Sequence, residues 1–240
     1  MIFFVSSVGA VSSLRQAQGA DGRPRPVPEG PIGDWSAASM ESGYGQSKLV
    51  AERILATAAK EAGIPCAICR VGQIAGSSPG EGDWQRNEWL PTLVVSSRNM
   101  GCLSTSLGSF NNVDWVPIDL AAKIVLDFVG HAARKLLDSP NQPKVYHAVN
   151  PRPMPGQSLL PAPRCGKAVP LEEWIDKLTR LGDQGINRFP AVKLANFYRS
   201  LLAAEDVSLD TLESRRASWT LIEMKSVTVD MLRGWIRRWF

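Results

Sequence analysis

Apolar runs of strand length alternate with longer amphipathic stretches over the first 150 residues. The runs at 2–5, 66–71 and 145–149 predict buried strands. The stretches at 42–61 and 120–137 predict helices, because their apolar positions recur near helical spacing. Strands that alternate with helices in this way form βαβ units, so the pattern predicts an α/β fold with a parallel, doubly wound sheet.

The pattern changes after residue 150. Three amphipathic stretches, 171–181, 191–204 and 228–239, predict helices joined by loops that contain Pro and Gly. We therefore predict a sheet-containing domain over residues 1–150 and a mainly helical subdomain over residues 151–240. Within the first domain a further helix is predicted near 88–98, and Asp119 is predicted to cap the helix that follows it.

Composition and charge argue against several classes of function. The 240 residues carry a net charge of +4 and 44% hydrophobic residues, which is ordinary for a globular protein. The excess positive charge is spread out and has no interleaved aromatics, so nucleic-acid binding is not expected. No apolar run approaches the ~20 residues that span a bilayer, so a membrane role is not expected either. Four cysteines make no disulfide framework, which favours a reducing, cytoplasmic compartment.

Cys66 and Cys69 form a C-x-x-C that could suggest a metal or redox site. They lie in the predicted strand at 66–71. Residues three apart in a strand point to opposite faces, so the two thiols cannot share one ion. We expect no metal site.

Tyr44 and Lys48 form a Y-x-x-x-K in the predicted helix at 42–61. Positions i and i+4 of a helix are neighbours on one face, so a phenol lies beside an ammonium. A phenol is a poor acid at neutral pH, and a nearby cation stabilises its ionised form. The pair could thus donate a proton during carbonyl reduction.

The order of features around this pair resembles the extended short-chain dehydrogenase/reductase superfamily. A strand that ends in Ser6-Ser7 precedes the pair, Ala51-Glu52 follows it, and the next strand ends in the segment 70–76 (RVGQIAG). The resemblance implies a catalytic trio of Ser7, Tyr44 and Lys48. Ser6 is the alternative, because a shift of one residue reverses the face that a strand side chain occupies.

Further segments narrow the resemblance to thioester reductase domains of nonribosomal peptide synthetases, carboxylic acid reductases and aminoadipate reductases. The tail is similar to fungal versions attached to adenylation and carrier domains. These segments occur in the order RVGQ (70–73), EWLP (88–91), VDWVPID (113–119), YHAVNP (146–151), Glu173-Trp174 and a closing Trp235 and Trp239. Singly, such tryptophans indicate core packing, and we assign them no catalytic role.

The resemblance implies a substrate held as a thioester on the phosphopantetheine of a carrier protein, and NADPH as the cofactor. Tyr44 would protonate the developing oxyanion and Ser7 would donate a second hydrogen bond. Lys48 would hold the nicotinamide ribose, and the backbone of Val71, Gly72 and Gln73 would lie beside the nicotinamide. An aldehyde would form, and a second hydride could give an alcohol.

One element of the family pattern is missing. A dinucleotide fold normally carries a G-x-G-x-x-G turn between a first strand and a helix, and the sequence contains none. We therefore expect a fragment that lacks the pyrophosphate-binding half and that is inactive as a thioester reductase on its own. Two alternatives stay open: a non-catalytic remnant or module that docks a carrier protein, and another extended short-chain enzyme, such as an epimerase or dehydratase.

Overall fold

The computed structural model describes residues 1–14, 18, 24–78, 84–136, 141–160, 165–182, 185–203 and 207–240. Nine strands lie in these ranges: β1 Ile2–Ser7, β2 Cys66–Val71, β3 Ile74–Ala75, β4 Cys102–Ser104, β5 Asn112–Val113, β6 Val116–Pro117, β7 Lys144–Ala148, β8 Met154–Pro155 and β9 Lys167–Val169. Eight α-helices lie there too: α1 Gly43–Ala62, α2 Trp89–Met100, α3 Ile118–Lys135, α4 Leu171–Arg180, α5 Ala195–Ala203, α6 Leu212–Ala217, α7 Trp219–Glu223 and α8 Val229–Arg237. None of these helices is both long and apolar enough to cross a membrane.

The chain forms two compact units, and each is built from segments that are far apart in sequence. The first unit contains residues 1–74, 114–152 and 207–225, and the second contains 75–113, 153–206 and 226–240. Residues 207–225, which follow the predicted domain boundary at 150, thus cluster with the sheet-bearing unit. The division at residue 150 stays a prediction about domains.

A parallel three-stranded sheet of order β1-β2-β7 is the centre of the first unit. Helix α3 packs on one face, where Ile124 and Phe128 contact Ala67 and Tyr146 in a buried apolar cluster. Helix α1 packs on the other face and connects β1 to β2. This arrangement confirms the predicted α/β fold with a parallel sheet.

The ends of α1 follow from two local signals. The side chain of Ser42 accepts a hydrogen bond from the Gly45 N–H at 3.0 Å and so caps the first turn. Gly63 has φ +63, a left-handed conformation that ends the helix at little cost for glycine. The predicted helix at 42–61 is therefore confirmed to within a residue at each end.

Aromatic side chains fill the core of the second unit. The indole of Trp174 donates to Ser97 Oγ at 2.9 Å, and its ring lies 5.1 Å from that of Tyr198. Trp235 donates to the Ser77 carbonyl, and a Cβ on Gly76 would stand only 2.4 Å from the Trp235 ring. These tryptophans act in packing.

Three sequence expectations differ from the structure. Asp119 does not cap α3: Pro117 is the cap residue, and Asp119 lies inside the first turn, where a carboxylate still favours the positive helix end. The stretch 191–204 begins as a 3₁₀ helix, Pro190–Leu194, before α5. Helices α6 and α7 were not expected from the sequence, since each is under two turns long and lacks a full apolar period.

Candidate active site

Ser7 is the last residue of β1, at the carboxyl edge of the sheet. Its hydroxyl oxygen accepts a hydrogen bond from the Gly9 N–H at 3.1 Å and caps a short 3₁₀ helix, Val8–Val11. The neighbouring Ser6 points to the opposite face, is buried, and donates to Glu52 Oε1 at 2.5 Å. Of the two serines, Ser7 is therefore the one whose side chain lies at the open end of the strand.

Tyr44 is the second residue of α1, and 62% of its surface is exposed. The first turn of α1 lies very close to the turn after β1, since a Cβ built on Gly45 would stand 2.5 Å from the carbonyl oxygen of Gly9. Only a glycine at position 45 permits this approach. The close approach brings the start of α1 beside the end of β1.

Ser7 and Tyr44 converge at Gly9. A Cβ built on Gly9 would lie 3.4 Å from Ser7 Oγ and 3.9 Å from Tyr44 Cδ1. The hydroxyl of Ser7 and the ring of Tyr44 therefore border the same small space.

Lys48 lies one turn further along α1, against the ring of Tyr44. Its Nζ is 5.5 Å from the centroid of that ring and 5.0 Å from the centroid of Phe4. The ammonium also donates to the Val5 carbonyl at 3.0 Å. The lysine is thus bound to β1 while its charge stays beside the phenol, as the i, i+4 spacing predicts.

The end of β2 borders Ser7 directly, because Ser7 and Val71 are partners in the parallel ladder. The Gly72 N–H donates to the Ala148 carbonyl at 3.1 Å, and the Gln73 carbonyl accepts from the Val116 N–H at 2.9 Å. These two backbone groups hold the strand ends together.

The other two tyrosines are unsuited to proton transfer at neutral pH. Burial raises the pKa of Tyr146 to about 12, and it also raises the pKa of Tyr198. Both side chains are almost completely buried. Tyr44 is the exposed one of the chain's three tyrosines.

The two cysteines of the C-x-x-C lie inside β2. Cys66 and Cys69 are both buried as free thiols, and burial raises the pKa of Cys69 to about 12, so its thiol stays protonated. Across the ranges that the structure describes, no cluster of three or more His, Cys, Asp or Glu side chains is arranged to hold a metal.

Sequence reasoning missed a chain of buried polar groups beneath the site. Arg70 is fully buried and pairs with Glu52, whose carboxylate also binds Ser6. Arg70 contacts His147 at 3.1 Å as well. Burial and the neighbouring arginine lower the pKa of His147 to about 4. The sequence feature that could have indicated this buried cluster is a charged or polar residue within each of two otherwise apolar strands, Arg70 in β2 and His147 in β7.

Comparison with known proteins identifies the family of this chain. The male sterility protein family, a family of NAD-binding domains, matches residues 1–125. A carboxylic acid reductase of Neurospora crassa is 37% identical over 99% of this chain, and an adenylate-forming reductase, Nps11, of Serpula lacrymans is 30% identical over 95% of it. The chain spans only 23% and 22% of these two proteins.

Among solved structures, the terminal R domain of the myxalamid PKS-NRPS pathway has a TM-score of 0.73 at 21% identity. The match covers 98% of this chain and 56% of that domain, and at this identity it shows the fold alone. The family match extends over more than half of the residues and includes all of the predicted trio. The chain belongs to the NAD-binding male sterility protein family, and the resemblance to reductase domains that its motifs indicated is confirmed.

Proposed function

We propose that this chain supplies the catalytic trio of an NADPH-dependent reductase that releases an acyl thioester from a carrier protein as an aldehyde. The observation that carries the proposal is the convergence of Ser7 and Tyr44 at Gly9, with Lys48 against the Tyr44 ring. The reductases among the relatives support the reaction type.

The side chains of Tyr44 and Lys48 fit the nicotinamide end of such a cofactor. A phenol and an ammonium at the carboxyl edge of a parallel sheet suit the ribose hydroxyls, and this edge is where ligands bind in open α/β sheets. A reduced nicotinamide, once bound, supplies a hydride to the thioester carbonyl carbon. Lys48 would hold the ribose through its ammonium.

Tyr44 and Ser7 act on the carbonyl oxygen of the substrate. As negative charge develops on that oxygen, Ser7 donates a hydrogen bond to it and Tyr44 transfers its phenolic proton. Lys48 stabilises the phenolate that remains, and solvent returns the proton because Tyr44 is exposed. The hemithioacetal then breaks its C–S bond, which gives the aldehyde and the thiol of the carrier arm.

The test is the steady-state rate with an acyl-pantetheine thioester at saturating NADPH, in a protein that also carries the pyrophosphate-binding half. Tyr44→Phe should lower kcat by roughly 10²–10⁴-fold, the range typical of a lost general acid. Lys48→Ala should also raise the KM for NADPH. Tyr146→Phe is the matched control, since it removes a buried phenol on the face of the sheet that α3 covers, opposite to α1, and should leave kcat unchanged. Near-normal turnover in Tyr44→Phe would refute the proposed role.

Cofactor affinity tests the proposal separately. The sequence contains no Gly-rich turn to hold a pyrophosphate, so we expect NADPH to bind this chain with Kd nearer millimolar than micromolar, each tenfold being about 1.4 kcal/mol. Calorimetric titration measures it. Micromolar binding would mean that another segment holds the pyrophosphate. Binding of a carrier protein with no NADPH binding at all would favour a docking module instead of a reductase.

A further inference from the structure

The buried polar groups beneath the candidate site tie helix α1 to the sheet. The Ser6 hydroxyl donates to Glu52 Oε1 at 2.5 Å. Arg70 Nε donates to both Glu52 oxygens at 3.1 Å, and Arg70 Nη2 donates to Oε2 at 2.7 Å. Ser6 and Glu52 are each 3% exposed and Arg70 is fully buried, so these bonds form away from water. One carboxylate on α1 thus joins β1 to β2.

The remaining contacts of Arg70 fix its guanidinium in place. Nη2 also donates to the Gly30 carbonyl at 3.1 Å, and Nη1 donates to His147 Nε2 at 3.1 Å. All three guanidinium nitrogens are therefore hydrogen-bonded, to a helix, to a loop and to β7. A planar group with several directional bonds cannot shift without breaking some of them.

Two members of this cluster lie on the same elements as the proposed trio, Ser6 on β1 and Glu52 on α1. Ser6 directly precedes Ser7, and Glu52 lies one turn after Lys48 and two turns after Tyr44 in α1. Lys48 itself donates to the Val5 carbonyl at 3.0 Å. Helix α1 is therefore hydrogen-bonded to β1 through two side chains one helical turn apart, Lys48 and Glu52.

Stability alone does not account for a buried ion pair at this position. Taking two charges out of water costs several kcal/mol each, and well-packed apolar residues are often at least as stabilising. Apolar contacts, however, do not fix how far a helix slides or rotates over a sheet, whereas directional hydrogen bonds do. The benefit of the pair is then geometric.

We propose that Glu52 and Arg70 are positioning residues, which hold the first turn of α1 against the end of β1 and so set the spacing between Ser7 and Tyr44. They touch no reacting atom and act through Ser6 and through α1. The catalytic consequence rests on the proposed function, but the positioning itself does not.

Ser6→Ala tests the positioning role with the smallest change to the site. It cuts the link between Glu52 and β1 and leaves the ion pair, the helix and all three members of the trio intact. Ser218→Ala is the matched control, because Ser218 is also a buried serine that donates to a carboxylate, Asp127 Oδ2, at 2.6 Å. Ser218 additionally caps α7, so the control perturbs the fold at least as much.

The first readout is amide hydrogen exchange of the complete chain, followed by NMR. Ser6→Ala should speed exchange of the Gly9 and Gly45 amides by about tenfold or more, while the amides of β7 and α3 exchange as in the wild type. Exchange at both glycines within twofold of the control would overturn the positioning role. This readout needs no enzymatic activity.

The second readout is kinetic. A spacing error of about 1 Å can cost on the order of 100-fold in rate, so Ser6→Ala should lower kcat by roughly 10- to 100-fold with little change in the KM for NADPH. Ser218→Ala should keep its kcat. Faster exchange with an unchanged kcat would overturn the link to catalysis. Wild-type turnover in Tyr44→Phe would contradict the proposed function, and the exchange result would still decide the positioning.

Discussion

His147 should make the stability of this protein fall steeply in acid. The histidine is fully buried in β7, where its Nε2 accepts a hydrogen bond from Arg70 and its Nδ1 donates to the Asp210 carbonyl at 2.6 Å. A carbonyl can only accept, so Nδ1 carries the hydrogen and the ring is neutral. A second proton on Nε2 would face the Arg70 guanidinium at 3.1 Å.

The magnitude follows from the two states of the ring. In the folded protein the pKa of His147 is lowered from 6.5 to about 4, whereas the unfolded chain binds the proton near the ordinary value. Between these two pH values the unfolded state holds more protons, so the free energy of unfolding falls as the pH falls. Going from pH 7 to pH 4 should cost about 3 kcal/mol through this group.

The assay is urea unfolding at a series of pH values, with wild type compared to His147→Gln, whose amide offers a donor and an acceptor but no titrating proton. The difference between the two should shrink by about 3 kcal/mol on acidification. Comparison with the variant removes the opposing effect of Glu29, whose pKa is raised by burial. Direct NMR titration of the ring provides the check, and a midpoint near 6.5 would refute the reasoning.

Three further outcomes are expected. Gly45→Ala should lower the free energy of unfolding by about 1–3 kcal/mol and reduce turnover, because its Cβ would stand 2.5 Å from the Gly9 carbonyl oxygen. Gly43→Ala is the control: its Cβ meets nothing within 4 Å, so both the free energy of unfolding and turnover should stay unchanged. Arg70→Met should lower the free energy of unfolding in urea by about 3–5 kcal/mol, because it leaves the Glu52 carboxylate buried and unpaired. Adding Glu52→Leu removes that unpaired charge and should recover part of the loss. If the losses of the two substitutions simply add in the double variant, this explanation is wrong. Strand β1 is an edge of the three-stranded sheet, and Val5 is 49% exposed there. A charge on an edge strand opposes pairing with another chain, so Val5→Lys should reduce self-association in sedimentation velocity. Equal self-association of the wild type and Val5→Lys would count against the sheet edge as the cause.

The local elements could be predicted from the sequence because their signals are local. Ser42 and Gly63 mark the ends of α1, and both act through backbone groups within a few residues. The strand at 66–71 is an unbroken apolar run apart from Arg70. The neighbourhood of Tyr44 and Lys48 likewise follows from helical spacing alone.

The two serines show where sequence reasoning ended. A strand places Ser6 and Ser7 on opposite faces, but the sequence does not state which face meets α1. That choice depends on how β1 pairs with β2 and on Glu52, which is 46 residues away in the chain and binds Ser6. Only the packed sheet and helix decide it.

The sequence by itself therefore determined the α/β class, the main helix and strand positions and the tyrosine–lysine pair, since these depend on periodicity and on contacts within a few residues. The tertiary structure decided which serine lies beside Tyr44, that Arg70 and His147 are buried partners, and that residues 207–225 return to the sheet-bearing unit. Each of these depends on residues that are distant in the chain and that meet only after the sheet and its helices have packed.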